Sequence, residues 1–403
     1  GEASMSGPLE GVRVVEVANW TFVPAAGAAL ADLGADVIKV EAPNGDPQRA
    51  LRNLLNLAED GPNPFLEVPN RGKRSFTADL TSEEGRRVLA RVVAAADVFM
   101  TSNLAPVRQK LGIEVEDMRA ANPNIIYVRG TGWGAHGPMA DVGGYDVACG
   151  WATSGMAYKM CVDEGPLAQP PGFFDLQGAN TIAGAVGMAL FKRERTGETS
   201  VIDVSLMNVG MWATAPDILG TPFSGSHGVG DRAESPNPIV NAYRTGDGRW
   251  LYLVCLQADR FWGELCTLLG CPELIDDERF VDGTARYTNR RACVGALDAV
   301  FGAKTMDEVH QALDGFSGVW APVLRPSEIP DHPQVEPNGF LPTITPHHGR
   351  PFQLVPAPMR FDDQPTVPRG AAPELGQHTE EILLETGMDW DEIGRLRAVG
   401  ALG

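Results

Sequence analysis

Asp175 stands between the run Pro170-Pro-Gly-Phe-Phe174 and an apolar stretch that begins at Leu176, where a helix should open. An aspartate in that place is by default an N-cap whose carboxylate accepts hydrogen bonds from the free helix amides. The same physics offers chemistry. Helix-terminal amides and the macrodipole favour the ionised carboxylate, which predicts a low pKa and a permanently available, if weak, oxygen nucleophile. Such a nucleophile attacks only an activated acyl group, and a thioester is the commonest cellular example.

A second constellation is Asn70-Arg71-Gly72-Lys73-Arg74, the densest basic cluster of the chain, just ahead of an expected strand. Three cations in four residues could hold a phosphorylated ligand by charge-assisted hydrogen bonds, or could form an ordinary solvated turn. His136 lies in the glycine-rich run from Gly130 to Pro138 with no acid or nucleophile locally tied to it, so it reads as a loop histidine. His347 and His348 sit in a proline-rich segment without a partner at metal spacing. Glu41 ends a strand roughly where a ribose-binding acid would sit. The glycines that must accompany such an acid are missing: the chain reads Ala18-Asn-Trp-Thr-Phe-Val-Pro-Ala-Ala-Gly27, and bulky residues there keep a pyrophosphate from the helix terminus.

The elements that would position these residues alternate. Val12 to Ala18, Asp36 to Glu41, Ser75 to Leu80, Asp97 to Thr101, Asn124 to Gly130 and Ser200 to Leu206 read as strands. Pro24 to Leu33, Ser82 to Ala95 and Val115 to Ala121 read as helices, the second with Thr81 and Glu84 in capping-box spacing. This order predicts an open, mostly parallel α/β sheet. The stretch from Gly130 to Phe174 reads as one long loop, and Asp175 to about Arg195 as a helix. Linkers near 222–238 and 326–346 flank a block whose strand Trp250 to Leu256 and helix Phe261 to Leu269 open a second unit. A large first part at 8–222, a small domain at 225–325 and a return segment at 340–403 follow from this.

Composition bounds the function. Fifty-two acidic residues against thirty-three Lys and Arg give 403 residues a formal charge of −19, and no basic tract is long enough for a nucleic-acid or anionic-membrane binder. Six cysteines without a C-x-x-C pair argue against zinc and for reduced thiols, hence a cytoplasmic location. The apolar stretch Ala179 to Phe191 is too short for a bilayer span, and Gly1 to Gly7 lacks a signal-peptide pattern, Gly-Glu-Ala-Ser reading as a fusion remnant before Met5.

Six blocks in order carry a resemblance: Pro8 to Val14, Ala31 to Glu41, Asn70 to Ser75, Gly132-Trp-Gly-Ala-His-Gly-Pro138, Gly144-Tyr-Asp146, and Leu375 to Ile382. Over nearly its whole length the chain resembles the class III coenzyme A transferases, the group of formyl-CoA transferase and carnitine-crotonobetaine CoA transferase. The resemblance implies a Rossmann-like large domain, split in sequence around a smaller α+β domain, and an interlocked homodimer. It implies Asp175 as the nucleophile that takes the acyl group of a donor acyl-CoA, with coenzyme A then passed through an aspartyl thioester to an acceptor carboxylic acid. Coenzyme A would be a substrate and not a resident cofactor. Contacts to it fall, by the same resemblance, on Thr21, Phe22, Asn70, Arg71, Gly72, Lys73, Asn103, Leu104, Lys110, Gly144, Tyr145 and Asp146.

Departures shape the alternatives. Thr21 and Ala42 replace residues that formyl-CoA transferase uses, which makes formate and oxalate poor substrates. Tyr145 stands where the related 2-methylacyl-CoA racemases carry a histidine, and a phenol with a pKa near ~10 is a poor base at neutral pH. A racemase and a non-catalytic acyl-CoA-binding protein remain the rival readings. Trp20, Phe22, Trp133, Trp151, Phe173 and Phe174 suggest either a roomy apolar acyl pocket or a packed core.

Overall fold

The computed structural model describes residues 7–162, 165–224 and 230–403. The expected remnant before Met5 and the expected start of the small domain at 225 lie outside the described residues. The chain divides into two compact units, one running to Phe223 and resuming at Pro333–Gly403, the other Ser224–His332.

The larger unit is built on six parallel strands: β1 (Arg13–Val17), β2 (Asp36–Glu41), β3 (Arg74–Thr77), β4 (Val98–Thr101), β5 (Ile126–Thr131) and β6 (Val201–Ser205). They lie in the order β3-β2-β1-β4-β5-β6. The central strands are β-branched and almost wholly buried, as a sheet covered on both faces requires. Because β1 pairs with both β2 and β4, strand order reverses there and opens a crevice at the carboxyl ends of β1 and β4, the usual ligand position in such sheets.

Helix α1 (Phe22–Asp32) follows β1 and consists largely of Ala, so it buries nearly every side chain against the sheet and against a long helix further on, α3 (Phe173–Thr196). Gly27 is needed in it: a Cβ there would stand 2.1 Å from Glu16 Oε2 and 3.0 Å from the Lys73 side chain. Helix α2 (Glu83–Val93) is capped by Ser82, whose hydroxyl accepts from the Gly85 amide at 3.0 Å. The expected Thr81–Glu84 box does not form; Thr81 instead turns back to Asp79 and Glu84 pairs with Arg87.

The return segment lies along the outer edge of the sheet. The Thr77 amide donates to Thr379 Oγ1 at 3.1 Å, the Ser75 amide to His378 Nδ1 at 3.1 Å, and the Asp79 amide to the Ala401 carbonyl at 2.9 Å. The stretch expected as a single loop from Gly130 to Phe174 contains a π-helical turn (Val147–Ala152) and a short helix (Met156–Lys159). Helices α4 (Leu206–Ala213) and α5 (Ala215–Ser224) follow β6. The smaller unit pairs Val240–Arg244, Trp250–Val254 and Trp320–Pro322 antiparallel, with helices Ala258–Leu269 and Arg290–Gly302 closing a core of Tyr243, Leu251, Leu253, Trp262, Leu265, Leu297 and Phe301.

Candidate active site

The turn that joins β1 to α1 borders the switch crevice, and buried polar groups hold it at four points. Lys39 Nζ donates to the Ala18 carbonyl at 3.0 Å, and the Trp20 amide faces Asp46 Oδ1 at 3.5 Å. Gln48 Nε2 donates to Thr21 Oγ1 at 3.0 Å, and Lys73 Nζ to the Pro24 carbonyl at 2.8 Å. These tethers belong to one network. Lys73 also meets both oxygens of Glu16, at 2.9 and 2.8 Å, and Asn70 Oδ1 at 3.1 Å. Lys39 bridges Glu16 at 3.3 Å and Asp46 at 3.0 Å, and Arg49 grips Glu41 with two nitrogens at 2.8 and 2.7 Å. Three cations thus face three carboxylates, all but Arg49 fully buried, an arrangement that survives burial only when each charge is paired.

The basic cluster of 70–74 is therefore turned inward. The Lys73 ammonium is fully enclosed and already has four acceptors for its three protons, so it is not placed to meet a phosphate. Arg71 is spent on Asp32 at 3.0 and 2.6 Å, and Arg74 on Asp36 and Glu385 at 2.6 and 2.7 Å. Asn70 is buried, its amide donating to the Leu66 carbonyl at 3.1 Å. Gly72 adopts a φ of 69° and donates its amide to the Gly370 carbonyl at 3.0 Å. Neither the solvated turn nor the open phosphate cradle describes this cluster; it fixes the turn above it. Glu41 is equally committed, accepting from Arg49, the Asp46 amide and Ser75 Oγ.

Asp175 lies in the third position of α3, not at its cap. The cap is Gly172, in the left-handed region at φ 68°, and no side chain caps this terminus. The Phe173 amide donates to the Pro170 carbonyl at 3.2 Å and the Leu176 amide to the Gly172 carbonyl at 2.9 Å, so neither is free for the carboxylate. Without capping bonds the expected low pKa reverses. Burial, with Asp146 as a second and like charge, pushes the Asp175 carboxyl up to about 7.

Asp146 reaches this position because the π-helical turn packs on the first turn of α3. A Cβ on Gly150 would stand 2.6 Å from the Phe174 ring, and Trp151 packs edge-on to Phe173 with centroids 6.3 Å apart. Asp146 is 6% exposed, and its Oδ2 accepts from Gln169 Nε2 at 2.6 Å. Cys149 is buried in the same turn, its sulfur packed under Gly144 and Gly132, and burial with the two nearby carboxylates pushes its thiol up to about 11. Tyr145 is 62% exposed and meets Trp20 edge-on at 5.9 Å. Trp20 itself is held at φ 66°, a conformation that side chains rarely adopt and that clusters at functional sites. Thr21 adjoins Gly172, its methyl lying 3.5 Å from where a Cβ would stand.

Across the crevice, Asn103 Nδ2 donates to the Val17 carbonyl at 3.1 Å and fastens the end of β4 to the end of β1. Leu104 caps the helix Ala105–Leu111, on which Lys110 is exposed. Phe22, Trp151 and Phe174 belong to the core, with Trp133 and Phe173 packed against it, so the aromatic set divides: only Trp20 is presented outward beside Tyr145. A cavity of about 550 Å³ lined by Arg49, Asn63 and His347, and one of about 530 Å³ lined by Ala179 and Leu354, do not include Asp175. His136, His347 and His348 are exposed, and no group of His, Cys, Asp or Glu able to hold a metal occurs among the described residues.

Sequence reading missed Glu16, Lys39, Asp46, Gln48 and Gln169. Most of their partners are distant along the chain (57 positions in the pair of Lys73 and Glu16, 23 in Gln169 and Asp146), although Asp46 meets Lys39, Glu41 and Gln48 within seven positions.

Residues 9–379 match the family described as CoA-transferase family III. The chain is 27% identical over 393 residues to the (R)-2-hydroxy-4-methylpentanoate CoA-transferase of Clostridioides difficile, covering 96% of this chain and 98% of that protein. It is 31% identical over 394 residues to a probable fatty acyl-CoA transferase, Rv3272, of Mycobacterium tuberculosis, covering 93% of this chain and 97% of that one. A crystal structure of a CAIB/BAIF family protein from Brucella suis superposes with a TM-score of 0.80 at 32% identity, over 94% of this chain and 100% of that chain. With the parallel sheet, the crevice at its switch point and the match along nearly the whole sequence in place, the chain belongs to CoA-transferase family III and is an enzyme that moves coenzyme A between carboxylic acids.

Proposed function

We propose that transfer runs through a covalent intermediate on Asp175. An Asp175 oxygen attacks the thioester carbonyl of a donor acyl-CoA, the carbon–sulfur bond breaks, and coenzyme A leaves from a mixed anhydride. Returning coenzyme A forms an aspartyl thioester and frees the donor acid. The acceptor carboxylate attacks that thioester, expelling coenzyme A and forming a second mixed anhydride, and the coenzyme A sulfur then attacks the acceptor carbonyl, breaking the anhydride to give the acceptor acyl-CoA and free Asp175. The observation that carries this reading is a carboxyl with no hydrogen bond of its own among the described residues, half-buried beside the crevice at the switch point.

Coenzyme A, as substrate, lies along the carboxyl edge of the sheet in this reading. Thr21, Phe22, Asn103, Leu104, Lys110 and Gly144 to Asp146 border its path, while Asn70 to Lys73 act from beneath by holding the turn. The Trp20 and Tyr145 rings form the acyl-side wall, which favours a bulky apolar acyl group, and the relatives named for branched hydroxy acids and fatty acyl groups agree with that size.

A homodimer completes the site. Trp212 and Phe223, on α4 and α5, are 82% and 86% exposed, with Met188 and Phe191 of α3 also bare, an apolar surface that a lone chain rarely leaves open. The unit 224–332, interrupting the larger one, is read as the inserted small domain. Six free cysteines, five of them buried, fit a cytoplasmic enzyme, and no helix among the described residues is long and apolar enough to cross a membrane.

Trapping tests the mechanism. Incubation with a panel of acyl-CoA donors and hydroxylamine converts an aspartyl anhydride or thioester at Asp175 to a hydroxamate detectable by mass spectrometry. A hydroxamate with at least one donor, absent from Asp175→Ala, is expected; binding of coenzyme A without any adduct sinks the covalent route. Deuterium gained at C2 of a 2-methylacyl-CoA in D₂O, with no acceptor present, points instead to the racemase.

A further inference from the structure

The cavity of about 530 Å³ beside α3 takes no part in the transfer chemistry, yet it begins one residue from Asp175. Leu176, 39% exposed, lines it, and so does Ala179, about one helical turn beyond Asp175, together with Ala25 and Ala29 of α1. Those three alanines are almost fully buried, and their small side chains leave the space; larger ones on either helix would fill it. The opposite wall is the return segment, where Leu354 and Ala357 are buried and Val355, 60% exposed, reaches the solvent edge.

That wall is fastened, so it does not collapse onto the helices. The Ala357 amide donates to Asp32 Oδ2 at 2.8 Å, the same fully buried carboxylate that Arg71 grips. The Leu354 amide donates to the Pro342 carbonyl at 3.2 Å, and Phe352 pairs with Ile344. The polar side chains of the lining are mostly committed. Arg71 is held by Asp32, and Glu67 accepts from the Ala372 amide at 2.8 Å; Asn180 and the exposed Gln353 are the others. The interior that remains is largely apolar and of the size that small-molecule sites have.

We propose that this cavity takes the aliphatic tail of a medium-chain acyl group whose carbonyl stands at Asp175. The proposal rests on Asp175 being the acylated residue, and it adds to the Trp20 and Tyr145 wall a place for the far end of the chain. An acyl group on an Asp175 oxygen that runs along α3 crosses Leu176 and enters over Ala179. A charged tail finds the cation of the lining, Arg71, already taken by Asp32, and a strongly polar one loses its water with little in return. Ala29 and Ala179 are then the positions that set chain length, because a larger side chain at either takes the volume that the tail needs.

Two measurements test it. With donors from butanoyl-CoA to dodecanoyl-CoA, kcat/KM should rise about fourfold per methylene until the cavity is full, and Ala179→Leu should flatten that rise from the long end. Because a larger residue between α1 and α3 can also disturb the fold, the second variant is Val355→Glu, on the exposed wall, which sets a charge beside the tail. Calorimetric titration of the unaltered enzyme with decanoate should show binding with a negative heat-capacity change, and Val355→Glu should weaken it about tenfold or more. A flat chain-length profile in the unaltered enzyme, or an equal decanoate affinity in Val355→Glu, overturns the proposal. So does a lower mass by light scattering in both variants with the decanoate affinity kept, which puts a second copy of the chain in the cavity. If no donor yields a hydroxamate, the covalent reading fails while the decanoate titration still decides whether the cavity holds the chain.

Discussion

Replacing Asp175 by asparagine should make the protein more stable, by an amount that grows as pH rises from about 4 to 7. The carboxyl ionises at 3.8 when solvated and at about 7 in the folded chain, where burial and then Asp146 oppose its charge. At about 1.36 kcal/mol per pH unit, that interval sets a ceiling of about 4 kcal/mol on the cost of the ionised form to the fold. The side chain is only half-buried, so solvent screening reduces the expected figure to about 2 kcal/mol. The sign follows from linkage. Below pH 3.8 the group is protonated folded and unfolded, and no penalty exists; as pH rises the unfolded chain ionises first, and the full cost is present above 7. Urea unfolding of both proteins at half-unit steps from pH 3 to 8.5 measures the difference. Asp175→Asn should exceed the parent by about 2 kcal/mol at the alkaline end and converge with it at the acid end. A gap that does not vary with pH, or a less stable asparagine variant at pH 8.5, refutes the account of Asp175 as a strained carboxyl.

Lys73→Met leaves Glu16 a buried carboxylate with only Lys39 at 3.3 Å, and should cost about 3–5 kcal/mol in urea unfolding, with partial recovery when Glu16→Gln is added. Trp212→Glu together with Phe223→Glu should halve the mass seen by light scattering if the bare face of α4 and α5 is the dimer contact. Gly150→Ala forces a Cβ to within 2.6 Å of the Phe174 ring; overpacking of about 1–3 kcal/mol should appear as a lower melting temperature, and the shift of the first turn of α3 as a lower kcat.

The sheet was legible because buried parallel strands are written as short β-branched runs between turn signals. Asp36 to Glu41 reads the same way in sequence and structure, and the alternation alone fixed the parallel architecture. The chemistry was legible only in part. The type of residue at 175 and its place at the start of a helix were visible, but its ionisation depends on burial and then on Asp146, both supplied by a long irregular segment that folds back against the helix start. That segment is held by side-chain to backbone bonds, such as Trp133 Nε1 to the Gly143 carbonyl at 3.2 Å, and these leave no periodicity to read. Lys73 misled for the same reason: a cation in a basic run looks available until a carboxylate from another strand is found against it.

The charge network under the β1–α1 turn also constrains how such a site can diversify. With Glu16 and Asp46 matched to Lys39 and Lys73, and the buried Glu41 to Arg49, a neutral replacement of either lysine, of Glu16 or of Arg49 strands a charge away from water, so these positions change most readily in compensating pairs. Trp20 and Tyr145, standing above it and partly in solvent, carry no such obligation. The route to a new acyl specificity thus runs through single steps on the exposed wall, while the base that holds the Thr21 turn at the crevice is locked against gradual revision.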